Sequence, residues 1–382
     1  MQATTFMMLM TPFFALSCVN EERKAGGDNR DSYEYDLRSD ADAGLTDTGL
    51  PSLEDTGGGD ATGEPGSFDG GIVGRVCDPA GGWVVTAYVY TTYDSTGDGV
   101  HDARAEDETD ANGAYELSGL PGGRDYVVVA EKGSFEATFN VTVGAGITEI
   151  AVDECMLNSP NIAVVTGQYD HIEDIIGGLG LDYTVYDGLM TTEYLDFLRN
   201  PHEMATYDII FFNCGMRMDW YFTEEFRSEI STNINAFVRS GGSIYTSDWA
   251  YYMVEAAFAD EIDFYGDDTF YGDAQFGLAD TVEVTVMDPA IEAIIGDDSA
   301  EIVFDRDSWV VMEGVASDVD VLLSADVPIS TTWGSGATLS NKPITVRFEV
   351  DAGQVLFTSF HNEHEETTLD MTDILEEAIL SL

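Results

Sequence analysis

Near residue 360 an imidazole and a carboxylate stand two residues apart, His361 and Glu363, with a second imidazole at His364. They close an apolar run, Gly353-Gln354-Val355-Leu356-Phe357-Thr358-Ser359-Phe360. Two other reactive side chains close similar runs: Cys214 after Tyr207-Asp208-Ile209-Ile210-Phe211-Phe212-Asn213, and Asp248 after Ser243-Ile244-Tyr245-Thr246-Ser247. Asp248 with His361 could serve as an acid–base pair. Asp248, His361, Glu363 and His364 could instead ligate a metal, zinc or calcium, although His-x-x-His is a loose spacing and such pairs are more often structural or solvated. A nucleophilic Cys214 would need His361 within hydrogen-bond reach; a small buried hydrophobe is the commoner fate of a cysteine at a strand end. The loop Asp94–Asp102 places Asp at positions 1, 5 and 9 and Gly at 6 of a calcium loop, but Thr96 and Ala105 break positions 3 and 12. It reads as an acidic solvated loop. The expectation is therefore of no cofactor and no metal, with calcium or zinc as the weak alternative.

These residues need a scaffold, and the pattern from Pro160 onward supplies one. Asn161-Ile162-Ala163-Val164-Val165-Thr166-Gly167 is a buried-strand run with a helix after Asp170. Tyr183–Tyr186 and Tyr207–Cys214 are the next strands, the latter apolar enough to be covered on both faces. A helix starts at an N-cap Thr223 with Glu224 and Glu225 in its first turn, buries a stripe of Phe226, Ile230, Ile234, Phe237 and Val238, and ends at Gly241-Gly242. Ser243–Ser247 is a fourth strand, turning sharply at Asp248 into a helix through Phe258. Such alternation predicts an open parallel α/β sheet, whose sites lie at strand C-termini. Here those ends are Gly167, Cys214-Gly215, Asp248-Trp249 and His361. Thr281–Val286, Glu301–Phe304 and Val319–Leu323 read as further strands that extend or cap the sheet, with Trp309 and Trp333 in the core. An acidic, aromatic, glycine-rich excursion between Asp260 and Leu278 either packs locally or folds over the crevice, where its rings would suit a sugar.

Upstream, from about Ile72 to Cys155, the chain is strand-rich. The runs are Gly71–Val76, Trp83–Tyr90, Asp125–Ala130 and Phe135–Val141, separated by turns at Asn112-Gly113 and Pro121-Gly122-Gly123. No helical periodicity interrupts them, which predicts a small all-β sandwich. Cys77 and Cys155 near its two ends suit a disulfide in an oxidising compartment. Before it, residues 19–70 carry fourteen acids and four bases with few large apolar residues, and read as a disordered acidic tether. Phe6–Leu16 is an apolar run too short to span a bilayer, ending at Ala15-Leu16-Ser17-Cys18.

The whole chain has 382 residues, 72 acidic against 15 basic, for a net charge of −57. Polyanions would be repelled, which excludes a free-standing nucleic-acid binder, and docking onto anionic lipid headgroups is disfavoured likewise. With 44% hydrophobic residues the chain can nevertheless build sizeable cores. Only −10 of the charge falls on the tether, so the acidity belongs mainly to folded surface and suits a saline or divalent-rich milieu.

Three resemblances follow from these residues. Ala15-Leu16-Ser17-Cys18 resembles a bacterial lipoprotein lipobox, which implies cleavage before Cys18 and its lipidation, and a protein held by its acyl chains at the outer membrane or cell surface. Gly74-Arg75-Val76, Thr109-Asp110-Ala111-Asn112-Gly113-Ala114-Tyr115-Glu116-Leu117 and Gly119-Leu120-Pro121-Gly122-Gly123 resemble the carboxypeptidase regulatory-like domain, a transthyretin-like accessory sandwich, here over 71–156. Residues 160–382 resemble the class I glutamine amidotransferase-like, flavodoxin-like fold. The carrying residues are Tyr207–Gly215, Phe237–Gly242, Ser243–Ala250 and Gly353–Glu363. That family presents a nucleophilic Cys at a strand–helix elbow and a base and orienter in a late His-Pro-Glu motif. His361 and Glu363 match the latter, Asn362 replaces the Pro, and Asp248 stands where the Cys should be. A carboxylate is a far poorer nucleophile toward an amide than a thiolate, so amidotransferase chemistry is not expected. The resemblance thus implies a multidomain envelope protein whose crevice binds or scaffolds, its ligand a carbohydrate or an envelope protein. The alternative is an extracytoplasmic hydrolase acting through Asp248, His361 and Glu363, with or without a metal.

Overall fold

The computed structural model describes residues 69–150, 155–190, 192–266, 274–331, 336–363 and 367–382. The lipobox with Cys18, the tether up to residue 68, His364, Trp333 and residues 267–273 of the aromatic excursion lie outside the described residues. All described residues belong to one compact unit, Thr62–Leu382. Among them, no helix is long and apolar enough to cross a membrane.

The first seven strands are β1 (Gly70–Arg75), β2 (Tyr88–Tyr93), β3 (Ala103–Glu108), β4 (Ala114–Leu120), β5 (Arg124–Lys132), β6 (Phe135–Val143) and β7 (Ile147–Glu149). They form two sheets, β4-β1-β7 and β3-β2-β5-β6. Period-2 patterning builds them: β6 alternates buried and exposed residues along its whole length. Ile72, Val89, Leu117, Val128 and Val141 from both sheets meet in one apolar core. The run expected from Trp83 becomes a strand only at Tyr88, because Thr86 sits at a left-handed φ of 50°. Cys77 and Cys155 form a disulfide, with Cα atoms 5.2 Å apart.

The rest alternates strand and helix: β8 (Ile162–Val165), α1 (Ile172–Gly178), β9 (Tyr183–Tyr186), α2 (Glu193–Leu198), α3 (Pro201–Met204), β10 (Ile209–Phe212), α4 (Glu224–Arg239), β11 (Ser243–Ser247) and α5 (Tyr252–Ala257). There follow β12 (Ile262–Phe264), β13 (Asp280–Val286), α6 (Pro289–Ile295), β14 (Ser299–Phe304), β15 (Met312–Val315), β16 (Asp320–Ser330), β17 (Gly336–Val350), β18 (Gly353–Thr358) and α7 (Leu369–Leu380). One nine-stranded sheet runs β14-β13-β16-β17-β18-β11-β10-β8-β9. From β9 to β18 it is parallel. Numbered along the chain, those five strands lie in the order 2-1-3-4-5, a doubly wound arrangement with its switch point between β8 and β10. The other four strands are antiparallel additions, so the expectation of a parallel sheet holds for one half only.

Successive residues of β8 and β10 face opposite cores, which is why neither run alternates with polar residues. Ile162, Val164, Ile209 and Phe211 join α1, α7 and the two small sheets in one core. Ala163, Val165, Ile210 and Phe212 join α2, α4 and α5 in the other. Helix α4 buries four residues of the expected stripe, Ile230, Ile234, Phe237 and Val238. Phe226 is only half-buried, and Thr223 stands at the N-cap without a side-chain hydrogen bond to the helix.

Candidate functional site

The ends of β10, β11 and β18 converge on one cavity of about 230 Å³. Its base holds Cys214, Asp248, His361 and Glu363, which the sequence scatters over 150 residues. Asp248 opens the turn from β11 to α5 with φ 41°, a left-handed conformation that costs a non-glycine residue of order 1–3 kcal/mol. The sharp turn expected at Asp248 is present, with a carboxylate at its tip. The backbone N–H of Val310 donates to Asp248 Oδ1 at 2.7 Å, and Cys214 Sγ donates to Oδ2 at 3.3 Å. His361 Nδ1 lies 3.8 Å from the same Oδ2, too far for a hydrogen bond, while Nε2 meets Glu363 Oε1 at 2.5 Å. Because the Glu363 carboxylate can only accept, the Nε2 proton belongs to this bond.

The electrostatics follow from burial. Desolvation raises the Asp248 carboxyl to about 6, against the opposing pull of His361. Burial, then the neighbouring Asp248 charge, pushes the Cys214 thiol well above its ordinary value. A nucleophilic thiolate needs the opposite shift. Burial alone would lower the His361 pKa, but the Glu363 bond and the charges of Asp248 and Asp170 outweigh it and raise it. Glu363 is also desolvated, yet its bonds to His361 and Asp305 leave its pKa lowered.

Asp170, read from sequence only as a helix start, is fully buried behind this group. Ser247 Oγ donates to Asp170 Oδ2 at 2.5 Å, and the Asn362 N–H donates to Oδ1 at 3.2 Å. A proline at 362 has no N–H to give. Asn362 Nδ2 also donates to the His171 carbonyl, so this residue ties the end of β18 to the segment entering α1.

Of the predicted crevice residues, Cys214 and Trp249 line the cavity. Gly167 and Gly215 do not; they let the strand ends approach. A Cβ on Gly167 would lie 2.0 Å from the Cys214 carbonyl oxygen, and Gly215 has φ +85° with Tyr169 and Gln168 against it. The cavity's other wall is Asp305–Trp309, which follows β14. Trp249 Nε1 donates to the Ser308 carbonyl at 2.8 Å, and Trp309 stacks on Phe304 with ring centroids 4.0 Å apart. At the rim the Arg306 guanidinium lies 5.0 Å over the Tyr169 ring, and Tyr169 meets Trp249 edge-on. No local pattern marks residues 305–308 as site residues; only the sheet extension brings them there.

The described part of the aromatic excursion packs locally. Phe264 is buried against Tyr251 and Phe357. In the Asp94 loop, the carboxylate accepts from the backbone of Thr96, Gly97 and Gly99. Those bonds, led by Gly99, lower its pKa to about 2.

Fold and crevice together describe a doubly wound α/β sheet with an elbow site at its strand C-termini. Neither a protein-family model nor a curated relative matches the sequence. Solved structures similar to the chain include a glutamine amidotransferase from Thermotoga maritima, at 10% identity and a TM-score of 0.34, over 53% of this chain and 76% of that one. PurLQS from the same organism is similar at 13% identity and a TM-score of 0.33, over 59% and 98%. A cytoplasmic protein from Salmonella typhimurium is similar at 11% identity and a TM-score of 0.38, over 57% and 97%.

Proposed function

We propose that this chain is a lipid-anchored cell-envelope protein with a carboxypeptidase regulatory-like sandwich at 71–156. Its class I glutamine amidotransferase-like domain, 160–382, binds a small ligand and transfers no amide nitrogen. The observation that carries this reading is the occupied elbow: a buried carboxylate, Asp248, stands in the strained nucleophile position beside an open cavity. The strand order 2-1-3-4-5 and the His361–Glu363 pair support the ancestry. The cavity is smaller than the ~300–1,000 Å³ of sites for drug-sized molecules, and Tyr169 and Trp249 at its mouth suit a single sugar ring. Cys18 would carry the acyl chains, and residues 19–70 would hold the folded part off the membrane.

A thermal-shift screen of monosaccharides, sugar acids and amino acids tests the crevice. A hit should raise Tm in the wild type and not in Trp249→Ala; a screen without hits removes the small-ligand reading. Mass spectrometry of the mature N-terminus tests the anchor, and an unmodified Met1 refutes it. The hydrolase reading has one observation in its favour, the approach of His361 to Asp248 at 3.8 Å within a solvent-reachable cavity. It requires turnover of a bound compound that is lost in both His361→Ala and Asp248→Asn.

A further inference from the structure

Three donor atoms of different chemistry meet at the base of the cavity. Cys214 Sγ, Asp248 Oδ2 and His361 Nδ1 all lie within 4.8 Å of one another. Each comes from the end of a different strand of the sheet, and each residue is at least nine-tenths buried: Cys214 is 1% exposed, Asp248 4%, and the His361 side chain 10%. His361 Nδ1 is shut off from solvent and has no hydrogen-bond partner. A buried ring nitrogen without a partner is unfavourable and calls for a physical reason. Its other nitrogen is fully engaged by Glu363. With the Nε2 proton on that bond, Nδ1 is the ring atom that faces Asp248, and a metal ion there would take the place of the second proton that the surrounding carboxylates favour. Metal-binding histidines use this same arrangement, a carboxylate behind the ring fixing tautomer and orientation.

The distances separate two explanations. An acid–base dyad works at about 2.6–3.2 Å between heavy atoms. Ligands around a tetrahedral ion with bonds of about 2.0–2.3 Å stand about 3.3–3.7 Å apart. The Nδ1–Oδ2 separation of 3.8 Å is beyond the reach of a dyad and close to the second spacing. Sγ and Oδ2, joined by the thiol hydrogen bond at 3.3 Å, already stand at a tetrahedral spacing, and Sγ lies within 4.8 Å of Nδ1. A thiolate with an imidazole favours borderline-soft ions over calcium or magnesium.

We propose that Cys214 Sγ, Asp248 Oδ2 and His361 Nδ1 form a site for one divalent transition-metal ion of the zinc class. Glu363 is its positioning residue, and the fourth coordination position is open to the cavity. Binding displaces the Cys214 proton, so a thiol that is inert without metal becomes a ligand thiolate. A water, or an oxygen or nitrogen donor of a small ligand, completes the shell. The proposal deepens the ligand-binding reading of the same cavity.

The test is made on the full chain, stripped with a chelator and loaded with Co²⁺ in high salt, so that surface carboxylates do not compete. We expect one tightly held equivalent, with a near-ultraviolet thiolate-to-cobalt charge-transfer band and the strong visible bands of a tetrahedral ion. Zn²⁺ should displace it and abolish both. Cys214→Ser and His361→Ala should each weaken Zn²⁺ binding at least 100-fold, and Cys214→Ser should lose the charge-transfer band. Glu363→Gln should weaken binding about 10–100-fold and keep the band. Cobalt bound by the wild type without a thiolate band overturns the proposal, as does unchanged Zn²⁺ affinity in Cys214→Ser and His361→Ala. The wild-type spectrum decides even where a variant fails to fold. Because the readout is the metal itself, a thiolate band without any small-ligand hit leaves the site standing and removes only the ligand reading.

Discussion

Asp248 concentrates the physical tension of the site, since it is buried, conformationally strained and within reach of both a thiol and an imidazole. Its carboxyl is pushed up to about 6 from 3.8 by desolvation. A carboxyl whose folded pKa is raised stabilises the fold fully below the unfolded value, and that contribution is lost as pH rises through about 6. About two pKa units correspond to about 3 kcal/mol. Asparagine keeps the Oδ1 acceptor for the Val310 N–H and tolerates a left-handed backbone. In chelator, the unfolding free energy of Asp248→Asn minus that of the wild type should therefore grow by about 2–3 kcal/mol from about pH 3.5 to pH 7. Urea titrations at the two pH values check this, and a difference that stays flat refutes it. His361, Glu363, Asp248 and Cys214 were legible because each ends or follows an apolar run, where open α/β sheets keep their sites. Asp170 was not, because a carboxylate that faces inward from a loop looks in sequence like any helix-starting Asp.

The elements divide along the same line. Strands buried on both faces, such as β8 and β10, and the amphipathic α4 announce themselves by composition or period. Strand β3, Ala-Arg-Ala-Glu-Asp-Glu, does not: it lies at the edge of its sheet, where charged residues are an advantage and no apolar alternation is needed. Strand β17 is likewise masked by a polar, exposed first half. That gap in the reading hid the second wall of the cavity, because β17 joins the antiparallel strands β16, β13 and β14 to the parallel half. The wall is pinned at Gly277, where a Cβ would lie 2.1 Å from the Trp309 ring. Gly277 N donates to the Trp309 carbonyl at 3.0 Å, and Ser308 N donates to the Gly277 carbonyl at 2.7 Å. Gly277→Ala must displace Trp309 from Phe304 and carry residues 305–308 with it. We expect a loss of roughly 2–4 kcal/mol by denaturant unfolding, with quenched or shifted tryptophan emission. A variant within 0.5 kcal/mol of wild type would mean that this wall is soft.

At the scale of the whole molecule, the acid excess and the scarcity of cations meet at Lys132. It is one of three lysines in the chain, and it is spent in the interior. Its Nζ, at the end of β5, forms an ion pair with Glu377 of α7 and donates to Thr86 Oγ1 at 2.7 Å. Burial raises the Glu377 pKa despite that pairing, and its Oε2 has no partner. Removing one charge leaves the other stranded, so Lys132→Met should cost about 3–5 kcal/mol, and adding Glu377→Leu should restore most of it. Salt then separates this pair from the surface. Of the net −57, −47 falls outside residues 19–70, where exposed carboxylates of the described residues repel one another and oppose compaction. Screening shortens the range of that repulsion from about 10 Å at 0.1 M to about 3 Å at 1 M. A pair buried under both side chains is hardly screened. Raising NaCl from about 0.1 to 1 M should therefore increase Tm by several degrees, while the Lys132–Glu377 coupling energy from the double-mutant cycle stays constant. If the coupling energy falls with salt as surface pairs do, the pair is solvated, and α7 is not held to β5 by a buried charge.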